Sequence, residues 1–209
     1  IYNFDSKLIG NMWSDDLRFS HFKVIAEAVK EQVDKGADGV IIGMGTDNLA
    51  VASAALAFIF EKLPIPVLFV GAQRSSDRGS SDAAMNLTCA SNFIANSDFG
   101  GVALCMHSSS SDDSCSILPA TKTAKLHSSR RDAFKVVNAS PIAEVDYKTG
   151  KIKFISKNYA KKGEELAMLP EMEDKIGLMK ISINMFTEQF RAFNGYPGLV
   201  IEGTGLWTT

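Results

Sequence analysis

Two side chains that could do chemistry, Thr46 and Asp47, follow closely on a short apolar run. The β-branched run 40–42 predicts a strand buried on both faces, and the helical pattern that begins at Leu49 predicts its crossover helix. Gly45, Thr46 and Asp47 then lie where a parallel strand ends and a helix begins. Ligands bind there in open α/β sheets, because unpaired helix N–H groups and the helix dipole converge. The alternative is structural: threonine and aspartate are ordinary helix caps in a tight turn.

A lysine and a polar loop complete the candidate set. A threonine hydroxyl needs a base at neutral pH, and a lysine kept partly neutral by burial can serve, because desolvation lowers an ammonium pKa. Lys125 lies in a predicted strand, 121–127, between two apolar residues. The pattern alone favours an exposed lysine at a sheet edge. Ser14 and Asp15 stand in the polar loop before the first long helix.

Other kinds of site have weaker support. His21, His107 and His127 are too few and too far from other ligands for a zinc site. Cys105 and His107 share one face of a strand, so a thiol nucleophile with an imidazole base is conceivable, but a strand cysteine is far more often a core residue. The stretch 43–45, Gly-Met-Gly, lacks the third glycine of a dinucleotide motif. We therefore expect no cofactor and no metal.

Composition limits the class of protein. The chain has 209 residues, 45% hydrophobic and 22% charged, which is enough for one good core and part of a second unit. A net charge of −2, a pI near 6.0 and scattered basic residues argue against direct nucleic-acid binding. No apolar run approaches the roughly 18 to 20 residues of a membrane span, and no signal peptide opens the chain. Three cysteines without a CxxC pair predict reduced thiols and a cytoplasmic location.

Strands and helices alternate along most of the chain. This order predicts an α/β fold with three layers, α/β/α, a mostly parallel sheet and right-handed crossovers. The long polar loop 71–82 is of the kind that tends to be functional. The other predicted elements are strands 6–10, 66–70 and 101–106, helices 18–35, 49–62 and 82–95, a Ser-rich loop 107–116 and a hairpin of 143–147 with 151–155.

The chain divides into two predicted domains. Residues 1–156 form an N-terminal α/β domain, and the polar stretch 157–174 is a linker. Residues 175–209 begin a second, smaller α/β domain, with strand 176–181, helix 184–193 and strand 198–202. The first residue is isoleucine rather than methionine, and the chain stops just past an apolar strand. We interpret it as a segment of a longer protein.

Several ordered blocks together resemble the L-asparaginase type I/II family. They are Gly-Thr-Asp at 45–47 after a β-branched strand, Val-Gly-Ala-Gln-Arg at 70–74, and Ser-Asp-Ala-Ala-Met-Asn-Leu at 81–87. Within this family, blocks 71–87 and 125–134 most closely resemble the D subunits of archaeal glutamyl-tRNA(Gln) amidotransferases. The resemblance implies an asparaginase-like fold over nearly the whole chain.

The resemblance also implies an activity and a site. The family hydrolyses the side-chain amide of glutamine or asparagine through a threonine acyl-enzyme, with two threonines in the site. The acylated one comes from a Gly-Gly-Thr motif. The second, its aspartate and a lysine from a later strand correspond to Thr46, Asp47 and Lys125. Lys125 would tune Thr46 and Asp47 would bind the substrate α-ammonium; Ser14 would bind the α-carboxylate, with Asp15 and Gly45 completing the substrate contacts.

The amidotransferase branch implies partners. Its ammonia passes to a partner subunit that carries the tRNA and uses ATP, and relatives pair as homodimers. An acidic Asp15, where free asparaginases often carry glutamine, favours this branch. Two alternatives stay open: a free cytosolic L-asparaginase, and a non-catalytic α/β binding module that kept the fold. The upstream sequence would separate them.

The chain departs from the family pattern in two ways. Met44 and Asn48 stand where relatives often have other residues, which would alter loop packing without removing a catalytic group. No Gly-Gly-Thr occurs in the sequence, so its segment would lie upstream of residue 1. We therefore expect the 209-residue chain by itself to be inactive, and turnover of glutamine or asparagine by it would refute this.

Overall fold

A six-stranded mixed sheet forms the centre of the larger of two structural units. The computed structural model describes residues 2–205, and the chain divides into unit 1, Ile1–Pro170, and unit 2, Glu171–Thr209. The division falls inside the segment 157–174 that the sequence predicts as a linker.

Unit 1 contains three helices and ten strands among its described residues. The helices are α1 (Phe19–Asp34), α2 (Leu49–Ile59) and α3 (Ala83–Asn96), and short 3-10 helices span Ser14–Asp16 and Ala120–Lys122. The strands are β1 (Val40–Gly43), β2 (Phe60–Lys62), β3 (Pro66–Val70), β4 (Gly101–His107), β5 (Ser114–Pro119), β6 (Thr123–Lys125), β7 (Phe134–Val136), β8 (Ala143–Asp146), β9 (Ile152–Phe154) and β10 (Ala167–Met168).

The central sheet has the strand order β1-β3-β4-β5-β8-β9. β1, β3 and β4 are parallel, and each following pair, β4 with β5, β5 with β8 and β8 with β9, is antiparallel. Four of the six strands, β1, β3, β4 and β8, therefore point the same way. The predicted mostly parallel α/β fold is confirmed, with an antiparallel half that the alternation of elements does not reveal.

Hydrophobic cores lie on both faces of this sheet. All five residues of β3 are buried. Val67 and Phe69 face α1 and α2, whereas Leu68 and Val70 face α3, because successive side chains of a strand point to opposite faces. The continuous apolar sequence of β3 is what a strand covered on both faces requires, and it completes the predicted three layers.

Several predicted elements are wrong in detail. Residues 6–10 form no strand, and Leu8 is 81% exposed. The helix predicted to run to Lys62 ends at Ile59, because 60–62 form β2 and pair with β10, about a hundred residues later. The Ser-rich loop predicted over 107–116 is shorter, since His107 ends β4 and pairs with Cys115 of β5. Strand 121–127 contracts to β6.

Unit 2 is a small strand–helix–strand unit. β11 (Ile176–Lys180) and β12 (Gly198–Glu202) pair in parallel, with α4 (Thr187–Arg191) between them along the chain. This order agrees with the sequence, although α4 is much shorter than the predicted helix 184–193. Within residues 2–205, no helix is long and apolar enough to cross a membrane.

Candidate active site

Thr46 and Asp47 lie in the connection between β1 and α2. β1 ends at Gly43 and α2 begins at Leu49. The N–H of Met44 still donates to Val70 O of β3, at 3.1 Å, so the two strands stay paired up to the start of the connection. The two side chains therefore stand at the carboxyl edge of the parallel strands, as their sequence position predicts.

Lys125 reaches this connection from β6. Its Nζ lies 2.9 Å from Thr46 Oγ1 and 2.7 Å from Asp47 Oδ1, across 79 and 78 sequence positions. Only 13% of the lysine side chain is exposed, against 62% for the aspartate. The sequence pattern alone favours an exposed lysine at a sheet edge. The low exposure of Lys125 contradicts that alternative. The amine donates to a hydroxyl and to a carboxylate at the edge of a solvent-accessible site.

Ser14 and Asp15 lie in a 3-10 helix beside the same connection. Ser14 is 7% exposed, and a Cβ at Gly45 would come within 3.0 Å of its Oγ. Asn48 Nδ2 donates to Ser14 O at 2.9 Å and to Asp15 Oδ1 at 3.3 Å. Asp15 itself is exposed. The structure thus places Ser14 against Gly45. Asn48, which the sequence identifies only as a departure from the family pattern, links the 3-10 helix to the start of α2.

An open depression adjoins the lysine. It is lined by Asp47, Lys125, Leu126, His127 and Ser128. The N–H groups of residues 129 and 130 both donate to His127 Nδ1, at 3.1 Å, so the neutral imidazole carries its proton on Nε2. In the sequence, His127 is weighed only as a metal ligand, and its place in the wall of this depression is not predicted. The signal that could have found it is the Ser-Ser turn directly after the strand that carries Lys125.

The long loop 71–82 braces the segment after Lys125. Asp82, which is 1% exposed, accepts hydrogen bonds from the backbone N–H of Gln73, at 3.0 Å, and of Arg74, at 2.8 Å. Gln73 Nε2 in turn donates to Arg130 O at 2.8 Å. The loop is therefore held from inside by a buried carboxylate and contacts the turn next to the candidate site.

A buried carboxylate also organises the turn itself. Arg130 donates from two guanidinium nitrogens to Asp132, at 2.9 and 3.0 Å, and Lys135 Nζ donates at 3.1 Å. The bonds from Arg130 are the largest cause that lowers the pKa of Asp132, from 3.8 to about 2; Lys135 adds to this, and partial desolvation opposes it. Asp132 thus stays ionised and paired over the whole physiological range.

The cysteines and His107 belong to the core. Cys89, Cys105 and Cys115 are free and buried. The Cys105 thiol donates to Asn86 O at 3.5 Å, while His107 Nδ1 lies 2.7 Å from Asn86 Oδ1. Hydrogen bonding to Cys105, together with burial, raises the pKa of Cys115, which disfavours the thiolate that nucleophilic chemistry needs. In the part of the chain that the structure describes, no cluster of three or more His, Cys, Asp or Glu could hold a metal.

Fold and site together define a class of protein. The sheet order, the threonine–aspartate pair at the end of a parallel strand and the lysine from a later strand are consistent with the family that the motifs resemble. Residues 1–160 match the family model described as Asparaginase, N-terminal. The chain therefore belongs to the asparaginase family, which confirms the resemblance.

Relatives within this family are more specific. The chain is 45% identical over 210 residues to the D subunit of the glutamyl-tRNA(Gln) amidotransferase of Methanosarcina acetivorans, covering 99% of this chain and 49% of that protein. It is 43% identical over 212 residues to the corresponding D subunit from Pyrococcus furiosus, covering 100% and 48%. The chain thus spans about half the length of these relatives.

A solved structure supports the same assignment. The thermostable L-asparaginase from Thermococcus kodakarensis superposes with a TM-score of 0.83 at 30% identity, over 93% of this chain and 56% of that one. The predicted asparaginase-like fold is confirmed.

Proposed function

We propose that the intact protein hydrolyses the side-chain amide of glutamine or asparagine and supplies the ammonia for tRNA-dependent amidation of Glu-tRNA(Gln). The observation that carries this proposal is the contact of Lys125 Nζ with both Thr46 Oγ1 and Asp47 Oδ1. A hydroxyl beside an amine can carry out the proton transfers of acyl transfer from an amide, and the adjacent carboxylate can bind the substrate α-ammonium. The relatives named as D subunits of glutamyl-tRNA(Gln) amidotransferases support the coupling to tRNA.

The proposed reaction passes through a threonine ester. A threonine oxygen forms a bond to the amide carbon, the carbon–nitrogen bond breaks, and ammonia leaves with the proton that the hydroxyl gave up; water then cleaves the ester to the acid. The acylated threonine comes from the Gly-Gly-Thr motif that the family resemblance implies for the intact protein. Thr46 and Lys125 act as the proton-transfer pair, in which the lysine nitrogen takes up a proton through Thr46 Oγ1 and the proton is then returned to the leaving nitrogen.

The side chains around Thr46 and Lys125 are the proposed substrate-binding groups. The Asp47 carboxylate is 62% exposed, so an α-ammonium can reach it from the depression and form a charge-assisted hydrogen bond. Ser14, held against Gly45, is the proposed contact for the α-carboxylate, and Asp15 lies at the exposed rim beside it.

Alanine substitutions in the full-length protein test these roles. We expect Thr46→Ala and Lys125→Ala each to lower kcat for amide hydrolysis by about 10²–10⁴-fold, the usual contribution of a positioned proton-transfer group. The measurement is ammonia release from glutamine and from asparagine, with circular dichroism to verify the fold. Lys122→Ala is the matched control, because Lys122 is an exposed lysine three positions away. Rates within threefold of the control for both variants would refute the assignment.

A free L-asparaginase is the second candidate, supported by the likeness to the Thermococcus kodakarensis enzyme. The two candidates differ in what ammonia release is coupled to. We expect the full-length protein to form Gln-tRNA(Gln) from Glu-tRNA(Gln), glutamine and ATP only when a partner amidotransferase subunit is present. We also propose that the intact protein is a homodimer and is located in the cytoplasm. Amide hydrolysis without any transamidation in the reconstituted mixture would favour the free asparaginase.

A further inference from the structure

Gly71 packs directly against the methyl group of Thr46. It follows β3 in the chain and is buried. A Cβ built at Gly71 would lie 2.8 Å from Thr46 Cγ2, 3.1 Å from Met44 O and 3.5 Å from Leu49 Cδ2. The shortest of these distances is far inside van der Waals contact. The space into which the Thr46 methyl points therefore exists only because residue 71 has no side chain.

Backbone conformation does not explain this glycine. Gly36, Gly101, Gly150 and Gly195 have positive φ, which L-residues with a side chain rarely adopt, and Gly71 does not. Any residue could follow the backbone at position 71. The requirement for glycine is one of space, and the neighbour that sets it is the side chain of Thr46.

The peptide around Gly71 has little freedom to move away. Its N–H donates to Met106 Sδ at 3.4 Å, and its carbonyl accepts from Asn86 Nδ2 at 2.9 Å. Both partners are buried. On the opposite side, pairing of Met44 N with Val70 O fixes the backbone from which Thr46 follows. A new side chain at position 71 would therefore displace the Thr46 side chain before it displaced the main chain.

We propose that Gly71 is a positioning residue that selects the rotamer of Thr46. The methyl and hydroxyl of threonine are attached to the same Cβ, so placing the methyl over Gly71 directs Oγ1 to one staggered position. In that position Oγ1 lies 2.9 Å from Lys125 Nζ. The methyl group therefore fixes the Thr46 rotamer, because it occupies the space beside Gly71. This inference rests on the proposed function, and it explains why the hydroxyl is carried by threonine rather than serine.

The first test is Gly71→Ala in the full-length protein. A displaced methyl rotates Oγ1 away from Lys125, and a misplacement of about 1 Å can cost about 10²-fold. We expect kcat for amide hydrolysis to fall at least about tenfold, with KM within about twofold of wild type. Gly79→Ala is the matched control, because Gly79 lies in the same loop, has no positive φ and has nothing within 4 Å of a built Cβ. We expect it to behave as wild type.

The decisive test is rescue by removing one methyl group. Thr46→Ser keeps the hydroxyl and removes Cγ2, so the contact at 2.8 Å disappears while that with Met44 O at 3.1 Å remains. We expect kcat to fall about three- to tenfold in Thr46→Ser alone, because the hydroxyl samples more rotamers. The double variant should be faster than Gly71→Ala alone, a non-additivity that marks direct contact. A double variant as slow as Gly71→Ala, or wild-type kcat in Gly71→Ala, would overturn the proposal.

A structural readout separates this inference from the proposed function. Crystal structures of wild type, Gly71→Ala, Gly79→Ala and Thr46→Ser report the χ1 angle at position 46 whether or not the protein hydrolyses amides. We expect a single, changed χ1 in Gly71→Ala, more than one χ1 and hence more than one Oγ position in Thr46→Ser, and the wild-type χ1 in Gly79→Ala. An unchanged Thr46 rotamer in Gly71→Ala would disprove the role of Gly71 even if amide hydrolysis is established. If Gly71→Ala does not fold, a single Oγ position with wild-type kcat in Thr46→Ser would do the same.

Discussion

The role that we propose for Lys125 depends on the burial of its side chain, which the sequence around a single residue does not reveal. In the sequence it is one lysine in a short alternating strand, and that pattern is typical of a surface. In the structure its side chain is 13% exposed and contacts Thr46 and Asp47 together. Lysine is a residue type that could serve this role, but only the family resemblance paired Lys125 with Thr46. No local sequence pattern links two residues that lie 79 positions apart.

Lys125→Arg distinguishes proton transfer from charge pairing. Arginine keeps a positive charge beside Asp47, yet its guanidinium does not lose a proton in proteins. We therefore expect kcat for amide hydrolysis in the full-length protein to fall about 10²-fold or more, nearly as far as in Lys125→Ala. Steady-state ammonia release at saturating substrate is the measurement. If the arginine variant kept more than about a tenth of wild-type kcat, Lys125 would act through its charge rather than as a proton acceptor.

At the scale of elements, two connections, the loop 71–82 and the turn 126–133, brace the site that β6 and the β1–α2 connection carry. The loop 71–82 is held by Asp82 and contacts the turn 126–133 through Gln73. That turn places the lining of the depression and is itself held by Asp132. The sequence predicted that the long loop matters but not what it touches, because loop length says nothing about which distant turn lies beside it.

Because of Asp132, the free energy of unfolding should depend on pH in the acidic range. Its pKa is about 2 in the folded protein and near 3.8 when unperturbed, so its pairing with Arg130 stabilises the fold above about pH 4. That contribution falls as the pH drops from about 4 to about 2. We expect Asp132→Asn to lower the free energy of unfolding at pH 7, and the difference from wild type to shrink toward zero near pH 2. Urea unfolding of the full-length protein at a series of pH values measures it.

A second carboxylate, exposed on the surface, provides the control for this titration. Asp113 is exposed, so Asp113→Asn should leave the acid dependence of unfolding unchanged. A constant difference between wild type and Asp132→Asn from pH 7 to pH 2 would show that the Arg130–Asp132 pair does not stabilise the folded state.

Most of the strands that the sequence missed are short. β2 and β7 span only three residues each. β2 extends the helical pattern of α2 in sequence, and only its pairing with β10 makes it a strand. Conversely, residues 6–10 carry apolar side chains yet form no strand. Pairing between distant segments overrides local preference in short elements.

At the scale of the whole chain, the two units differ in how much they bury. Unit 1 has cores on both faces of its sheet, and β3 is buried at every position. Among the described residues of unit 2, only Gly177 and Met179 are buried, and large apolar side chains such as Ile183 stay exposed. Stability within one chain follows buried apolar contact, so the two units should open with different free energies.

Hydrogen exchange of the 209-residue chain tests this difference. We expect the backbone amides of β11 and β12 to exchange at least about 10²-fold faster than those of β3 and β4, which corresponds to a gap of about 3 kcal/mol or more in opening free energy. Mass spectrometry of peptic fragments at pH 7 resolves the four strands. The pairs β11–β12 and β3–β4 are both parallel, so hydrogen-bond type is matched. Equal protection in both pairs would contradict the expectation.

The sequence by itself determined the α/β class, the position of Thr46 and Asp47 at the end of a parallel strand, and the family. These follow from periodicity and from ordered short motifs, which are local properties of the chain. Only the tertiary structure decided that the Lys125 amine reaches Thr46, that Gly71 makes room for the Thr46 methyl, and that half of the sheet is antiparallel. The physical reason is that side-chain pattern sets which face of an element is buried, whereas packing of the whole chain sets which distant elements meet.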